Sequence, residues 1–268
     1  MKDTFSLHRG TTPLLISIPH GGVHVPASID ANWTPAARVL GDTDWHVERL
    51  YDFAPALGAG VIAATHSRYV IDLNRPPDGA ALYPGADNTE LCPTTSFARE
   101  SLYVTGNAPD KGEIDRRIDR YWRPYHQALT AEIDRLHSIH GVALLFEAHS
   151  IRSEVPRFFE GRLADFNLGT VAGASADGAL AARLLAICRE ADAYSSVLDG
   201  RFRGGYITRR HGRPANAVHA VQLELSQATY MDEDPPFGYR PDLADTVRPV
   251  LKRLLVEMLD WLGAANSE

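Results

Sequence analysis

The run Val142–Phe146 constrains this chain most. Five consecutive apolar residues follow a long helical pattern and precede the polar stretch that begins at Glu147. The run is too short to make a helix alone, and its unbroken apolarity suits a strand buried on both faces of a parallel sheet. The helical pattern before it spans Glu113 to His140. Ile114, Ile118, Tyr121, Tyr125, Leu129, Ile133 and Leu136 fall near one face, and Pro124 marks a point for a kink. Other strand-length runs are Leu14–Ile18, Val61–Thr65, Tyr69–Leu73 and Val218–Leu225. Helical patterns cover Asp44–Leu57, stopped by Gly58-Ala59-Gly60, then Asp177–Asp192 and a last helix through Val247, Val250, Leu251, Leu254, Leu255, Met258, Leu259 and Leu262. Alternating strands and helices predict an α/β fold. Its sheet would be mainly parallel or mixed, with helices on both faces, in one domain over residues 1–268. The Pro-, Gly-, Asn- and Thr-rich stretch Arg75–Pro109 reads as a long irregular excursion, and such loops are usually functional.

Composition narrows the function classes. Hydrophobic residues make up 44% and charged residues 23%, a balance that supports a sizeable core and excludes wholesale disorder. No apolar run approaches the length of a membrane span. A net charge of -7 argues against a nucleic-acid footprint. Cys92 and Cys188 are too few for a disulfide framework, and the first residues lack the apolar core of a secretory signal. The expected setting is cytoplasmic. Lysine occurs only at positions 2, 111 and 252, the remaining cations being arginine, which suits planar carboxylate recognition; biased genome composition accounts for the total.

Ligands of open α/β sheets bind beyond the carboxyl ends of the strands. The polar residues there are His20 in Pro-His-Gly-Gly, then Asp72, Asn74 and Arg75, then Glu147 and His149, and finally Glu224 in Gln-Leu-Glu-Leu. Together they have the parts of a catalytic zinc site, three His/Asp/Glu ligands and a position for water. His20 and His149 would give two nitrogens. Asp44 is the chosen third ligand, at a helix start where a carboxylate is favoured; Asp42 and His46 are rivals, and His24 a weaker one. Glu224 would be the general base. Each residue also has a structural reading. A strand-end histidine is commonly hydrogen-bonded in place, Asp44 would serve as a helix cap, and a buried Glu224 would pair with an arginine. Arg68 and Arg75 flank Asp72 and Asn74, where an Arg/Asn pair would hold a substrate carboxylate and Asp72 would pair with either arginine. Gly204–Arg209 reads as a glycine-hinged turn whose Arg209 is a further substrate-binding candidate. His8, His66, His126, His137, His140, His211 and His219 read as surface or structural.

In order, these segments resemble the N-formylglutamate amidohydrolase (N-formylglutamate deformylase) family over roughly residues 5–260. The similar segments are Ile16–Gly22, Asp42–Trp45, Ser67–Pro76, Tyr121–His126, Phe146–Ser153, Asp165–Gly169, Gly204–Arg209 and Gln222–Leu225. The family's Asp-Ala-His-Ser appears here as Glu147-Ala-His-Ser. The resemblance implies hydrolysis of N-formyl-L-glutamate to L-glutamate and formate, a step of histidine degradation. It implies a zinc carboxypeptidase- and aspartoacylase-like fold (phosphorylase/hydrolase-like) and a small-molecule substrate. It also implies zinc or another divalent metal on His20 and His149, Glu224 as base, Arg68 on the oxyanion, and Asn74 and Arg75 on the α-carboxylate. The aspartoacylase-type group takes its carboxylate ligand three residues after the first histidine, where this chain has Val23, so Asp44, Asp42 and His46 all stay open. The alternatives are a zinc deacylase for another N-acyl amino acid or peptide, and a non-catalytic amino-acid sensor. The oligomeric state is not legible.

Overall fold

The computed structural model describes residues 3–83 and 85–265. Met1 and Lys2 of the leader reading, and Pro84 of the irregular excursion, lie outside the described residues. A seven-stranded mixed sheet is seen among the described residues, in the order β1-β3-β2-β4-β7-β5-β6. Its strands are β1 Phe5–His8, β2 Leu14–Ile18, β3 Gly60–Ala64, β4 Ala143–Ile151, β5 Phe166–Gly169, β6 Ser196–Leu198 and β7 Val218–Ser226. The β3-β2-β4-β7 centre is parallel, while β1 pairs with β3 and β5 with β7 antiparallel. The short helices are α1 Ala27–Asp30, α2 Pro35–Arg38, α3 Val47–Leu50, α4 Lys111–Arg117 and α7 Tyr206–His211. The long ones are α5 Arg123–His140, α6 Gly178–Glu190 and α8 Pro241–Ala265. No described helix is long and apolar enough to cross a membrane.

The sheet separates two cores by the period-two rule of strands. On one face Leu14, Ile16, Leu144, Phe146, Val221 and Leu223 pack with Leu180 and Leu184 of α6 and Leu251, Leu254 and Leu255 of α8. On the other, Leu15, Leu145 and Ala220 pack with Tyr125, Leu129, Ile133 and Leu136 of α5.

The structure corrects four sequence expectations. Tyr69–Leu73 is not a strand. It is buried among Leu91, Leu102 and α5 rather than paired in the sheet, and the outer edge of β3 is taken by β1. Asp44–Leu57 is not one helix: His46 has φ 62°, so the helix starts at Val47, and Pro55 opens a separate 3-10 turn, Ala54–Leu57. The long helix is interrupted by a π turn, Ile118–Trp122, immediately before Pro124, where Arg123 N–H donates to Ile118 O five residues back. Proline has no N–H for the α-helical bond to Arg120, and the wider turn accommodates that loss. Finally, β4 does not stop at Phe146 but continues to Ile151, so Glu147 and His149 lie within it.

Candidate active site

The central strands change character partway along one face. On the α5 side, β4 places Ala143 and Leu145 in the core and then Glu147 and His149; β7 places Val218 and Ala220 and then Gln222 and Glu224. Glu147 lies opposite Gln222, and His149 opposite Glu224. The opposite face stays apolar through Ala148 and Leu225. This places the polar residues at the carboxyl ends of parallel strands, with His20 arriving just past the end of β2.

His20, Asp44 and His149 meet there, fully buried, each with a ligand atom within 4.8 Å of the others. Asp44 Oδ2 is 3.0 Å from His149 Nδ1 and 3.8 Å from His20 Nδ1. A second carboxylate grips the far nitrogen of each ring: Asp72 Oδ1 lies 2.8 Å from His20 Nε2, and Glu147 Oε1 2.7 Å from His149 Nε2. His20 Nδ1 and Asp44 Oδ1 have no hydrogen-bond partner. Buried polar atoms without partners are rare and need an explanation. Histidines backed by carboxylates and turned toward a common point are arranged as metal ligands usually are. Tetrahedral zinc, with bonds of about 2.0–2.1 Å, sets neighbouring ligand atoms about 3.3 Å apart, between the two separations here. The donor set therefore fits a divalent cation.

The electrostatics agree. Burial would raise the Asp44 pKa, but the hydrogen bond from His149 and the charges of His20, His149 and Arg68 hold it below the ordinary carboxylate value. Asp72 is driven well below it, burial being outweighed by His20, Arg75 and Arg68. Burial disfavours a proton on His149, yet Glu147 and Asp44 push its pKa well above the usual imidazole value. Burial, then Arg68, lower that of His20. The site thus asks for positive charge between its carboxylates, which a proton or a metal ion supplies.

The rival ligands point elsewhere. Asp42 Oδ2 accepts from Phe97 N at 2.8 Å, and burial raises its pKa to about 6. His46 Nε2 donates to Phe237 O, and His24 packs edge-on against His66. Nor does Asp44 cap a helix; its carboxylate also accepts from Ser150 N.

Arg68, Asn74, Arg75 and Glu224 line one cavity of about 60 Å³ together with His20 and His149. Arg68 pairs with Asp72 at 2.7 Å and lies 3.6 Å from Asp44. Asn74 Nδ2 sits 3.0 Å from His149 Nε2, and its Oδ1 accepts from Ile207 N. Burial raises the Glu224 carboxyl to about 8. Arg209 is not among the lining residues; its Nε donates to Gly204 O, and its guanidinium lies over Tyr83. Gly205 explains the glycine turn: a Cβ there would meet Asn74 Nδ2 at 2.2 Å.

Several contributors escaped the sequence reading. Arg201, Tyr83 and Phe202 line the cavity from irregular segments that carry no periodic signal. His126 is structural, as expected: its Nε2 lies 2.8 Å from Leu73 O and its ring stacks on Trp122, whose indole N–H donates to Arg75 O. The two rings thus hold the backbone on either side of Asn74. Their four-residue spacing within Tyr121–His126 was the available signal.

A family profile described as N-formylglutamate amidohydrolase matches residues 12–231. An N-formylglutamate deformylase of Pseudomonas aeruginosa is 54% identical over 97% of this chain and 98% of its own length. One of Pseudomonas putida is 53% identical over 97% of each. The crystal structure of an N-formylglutamate amidohydrolase from Ralstonia eutropha JMP134 superposes with a TM-score of 0.82 at 26% identity, covering 98% of this chain and 99% of that one. On this fold, this strand-end cluster and these relatives, the chain belongs to the N-formylglutamate amidohydrolase family.

Proposed function

We propose that this protein is an amide hydrolase that cleaves N-formyl-L-glutamate to formate and L-glutamate, working as a single α/β domain on a free small molecule. The observation that carries the reading is the buried His20–Asp44–His149 cluster with its partnerless Nδ1 and Oδ1 atoms, opening into a cavity that also holds Glu224 and three arginines. The two relatives named as deformylases support the choice of substrate.

His20, Asp44 and His149 would hold a divalent ion, zinc by its donor set. Bound there, the ion would polarise the formyl oxygen and acidify the attacking water. Glu224 takes the water's proton and passes it to the leaving nitrogen. Burial raises its carboxyl above the ordinary range, which favours holding the proton it takes from water until the nitrogen leaves. Arg68 stays cationic, its burial outweighed by Asp72, Asp44 and Asp42, and stabilises the oxyanion of the tetrahedral species. Asn74 and Arg75 hold the α-carboxylate, beside His149 and hence beside the scissile amide. Arg209 keeps the Gly204 turn in place behind them. Asp72 and Glu147 orient the two histidines.

The test is formate release from a substrate series by the purified protein. N-formyl-L-glutamate should be cleaved, with N-acetyl-L-glutamate and N-formyl-L-aspartate far slower. Equal turnover of the acetyl compound would place the protein among broader N-acyl deacylases. Binding of the formyl compound without turnover would favour a sensor.

A further inference from the structure

N-formylglutamate carries two carboxylates, and three arginines line the cavity: Arg68, Arg75 and Arg201. Their surroundings differ. Arg68 is committed to Asp72 and Asp44. Arg75 lies 3.9 Å from Asp72 and donates to the carbonyl and hydroxyl of Thr89 and to Asn74 O. Arg201 has no carboxylate within ion-pairing distance among the described residues. Its Nε donates to Phe158 O at 2.7 Å, which fixes the plane of the group. Its guanidinium carbon lies 5.1 Å from the ring centre of Tyr83, 5.7 Å from Phe158 and 5.4 Å from Phe202. Both terminal nitrogens are without a hydrogen-bond partner among the described residues.

The acids of the same cavity do not compensate it. Asp87 is taken by Arg157 at 2.9 Å and by Arg99 at 2.7 Å. Glu224 is engaged with Gln222 and lies beside His149 in the sheet register. Arg201 is therefore an uncompensated cation, held rigid by three rings and one carbonyl, facing a confined space. A planar guanidinium with two free N–H edges is matched by a carboxylate held through two parallel hydrogen bonds.

We propose that Arg201 receives the side-chain carboxylate of the substrate and so sets the preference for glutamate over neutral side chains. This rests on the functional reading above. The division of labour follows from connectivity. Arg75 contacts Asp72, which grips His20, so it stands beside the scissile bond and takes the α-carboxylate. Arg201 contacts only the ring cage and Phe158 O, so it takes the distal one. The cage also limits the length and bulk of the side chain that reaches it.

The experiment compares wild type with Arg201→Gln and Arg201→Lys on three substrates: N-formyl-L-glutamate, N-formyl-L-glutamine and the α-carboxamide of N-formyl-L-glutamate. Wild type should prefer the glutamate over the glutamine compound in kcat/KM on the order of 100-fold, the scale of a lost charge-assisted pair. In Arg201→Gln that ratio should fall to a few-fold, while the α-carboxamide loses as much as the parent. Arg201→Lys, which keeps the charge but not the planar fork, should lie between. A ratio unchanged in Arg201→Gln overturns the assignment, as does a loss seen equally with the glutamine compound. Should wild type release no formate at all, the functional reading fails, and calorimetric titration with L-glutamate and L-glutamine then decides on Arg201. A glutamate preference abolished in Arg201→Gln supports its role; equal binding of both amino acids by wild type overturns it.

Discussion

Glu224 and Gly205 show how single residues set this site. Glu224 lies opposite His149 in the sheet, in an environment that raises its carboxyl to about 8 by burial. Replacing it with glutamine keeps shape and size but removes the proton acceptor. Formate release should fall about 10²–10⁴-fold, the usual worth of a general base, with the protein's metal content unchanged. Turnover near that of wild type would assign the base elsewhere. Gly205 acts through what it lacks. Its N–H donates to Gln222 Oε1 at 2.7 Å, and a Cβ would overlap the Asn74 amide at 2.2–2.5 Å. Gly205→Ala should therefore displace Asn74 and lower kcat/KM on the order of 10- to 100-fold, because small misplacements of positioning groups are costly. Circular dichroism should show the fold retained. Wild-type kcat/KM in this variant would mean that Asn74 does not position the substrate. The chemistry-bearing residues were legible one by one: His20, Asp44, His149, Arg68, Asn74, Arg75 and Glu224 all come to one place. The second carboxylate behind each histidine was harder to see. Asp72 read as an arginine partner, and Glu147 as a neighbour of His149 rather than its support.

At the scale of elements, apolar runs without alternation are ambiguous, and that is where the sequence reading and the structure part. Val142–Phe146 and Tyr69–Leu73 are both short, mostly apolar runs, yet the first leads into a nine-residue strand from Ala143 and the second, which carries Asp72, is an irregular segment buried by helix and loop. Length and apolarity alone do not separate these outcomes, although Asp72, which turns to His20, is the one charged residue in either run. The end of β4 was misplaced for a related reason. Polar Glu147 and His149 looked like loop, whereas period two puts both on one face with Ala148 on the other. The break at His46 depends on a left-handed backbone that non-glycine residues seldom signal. The π turn before Pro124 is the element whose consequence is testable. It leads into Trp122 and His126, stacked with ring centres 3.8 Å apart, which hold the carbonyls of Arg75 and Leu73. Burial depresses His126 to about 3, below its unfolded value near 6.5. The unfolded chain therefore takes up a proton that the folded chain refuses. Stability from this group is complete above pH 6.5 and is lost as pH falls toward 3. Between pH 8 and pH 5, wild type should lose about 2 kcal/mol more unfolding free energy than His126→Gln, measured by urea denaturation at each pH. Parallel pH profiles for the two proteins would contradict the buried, neutral His126.

For the whole molecule, the sheet divides stability from chemistry. The face covered by α6 and α8 is apolar through the middle of the central strands, from Leu144 to Ala148 and from Val221 to Leu225, and the face covered by α5 turns polar where the cluster lies. Leu254 is fully buried on the first face. Leu254→Ala should cost about 2–5 kcal/mol of stability while leaving kcat within two-fold below its melting temperature. A selective loss of kcat in a folded sample would show that the two faces are coupled. The layered α/β architecture was legible from alternation alone, whereas the antiparallel pairings of β1 and β5 were not, because strands of four residues give too few periods to read. The central claim is that catalysis depends on a divalent ion held by His20, Asp44 and His149. It is tested by following formate release from N-formyl-L-glutamate in native, chelator-treated and zinc-restored protein, alongside His149→Ala. The account predicts loss on chelation, recovery with about one zinc per chain, and neither activity nor stoichiometric zinc in His149→Ala. Full activity in chelated protein shown to be metal-free would contradict it.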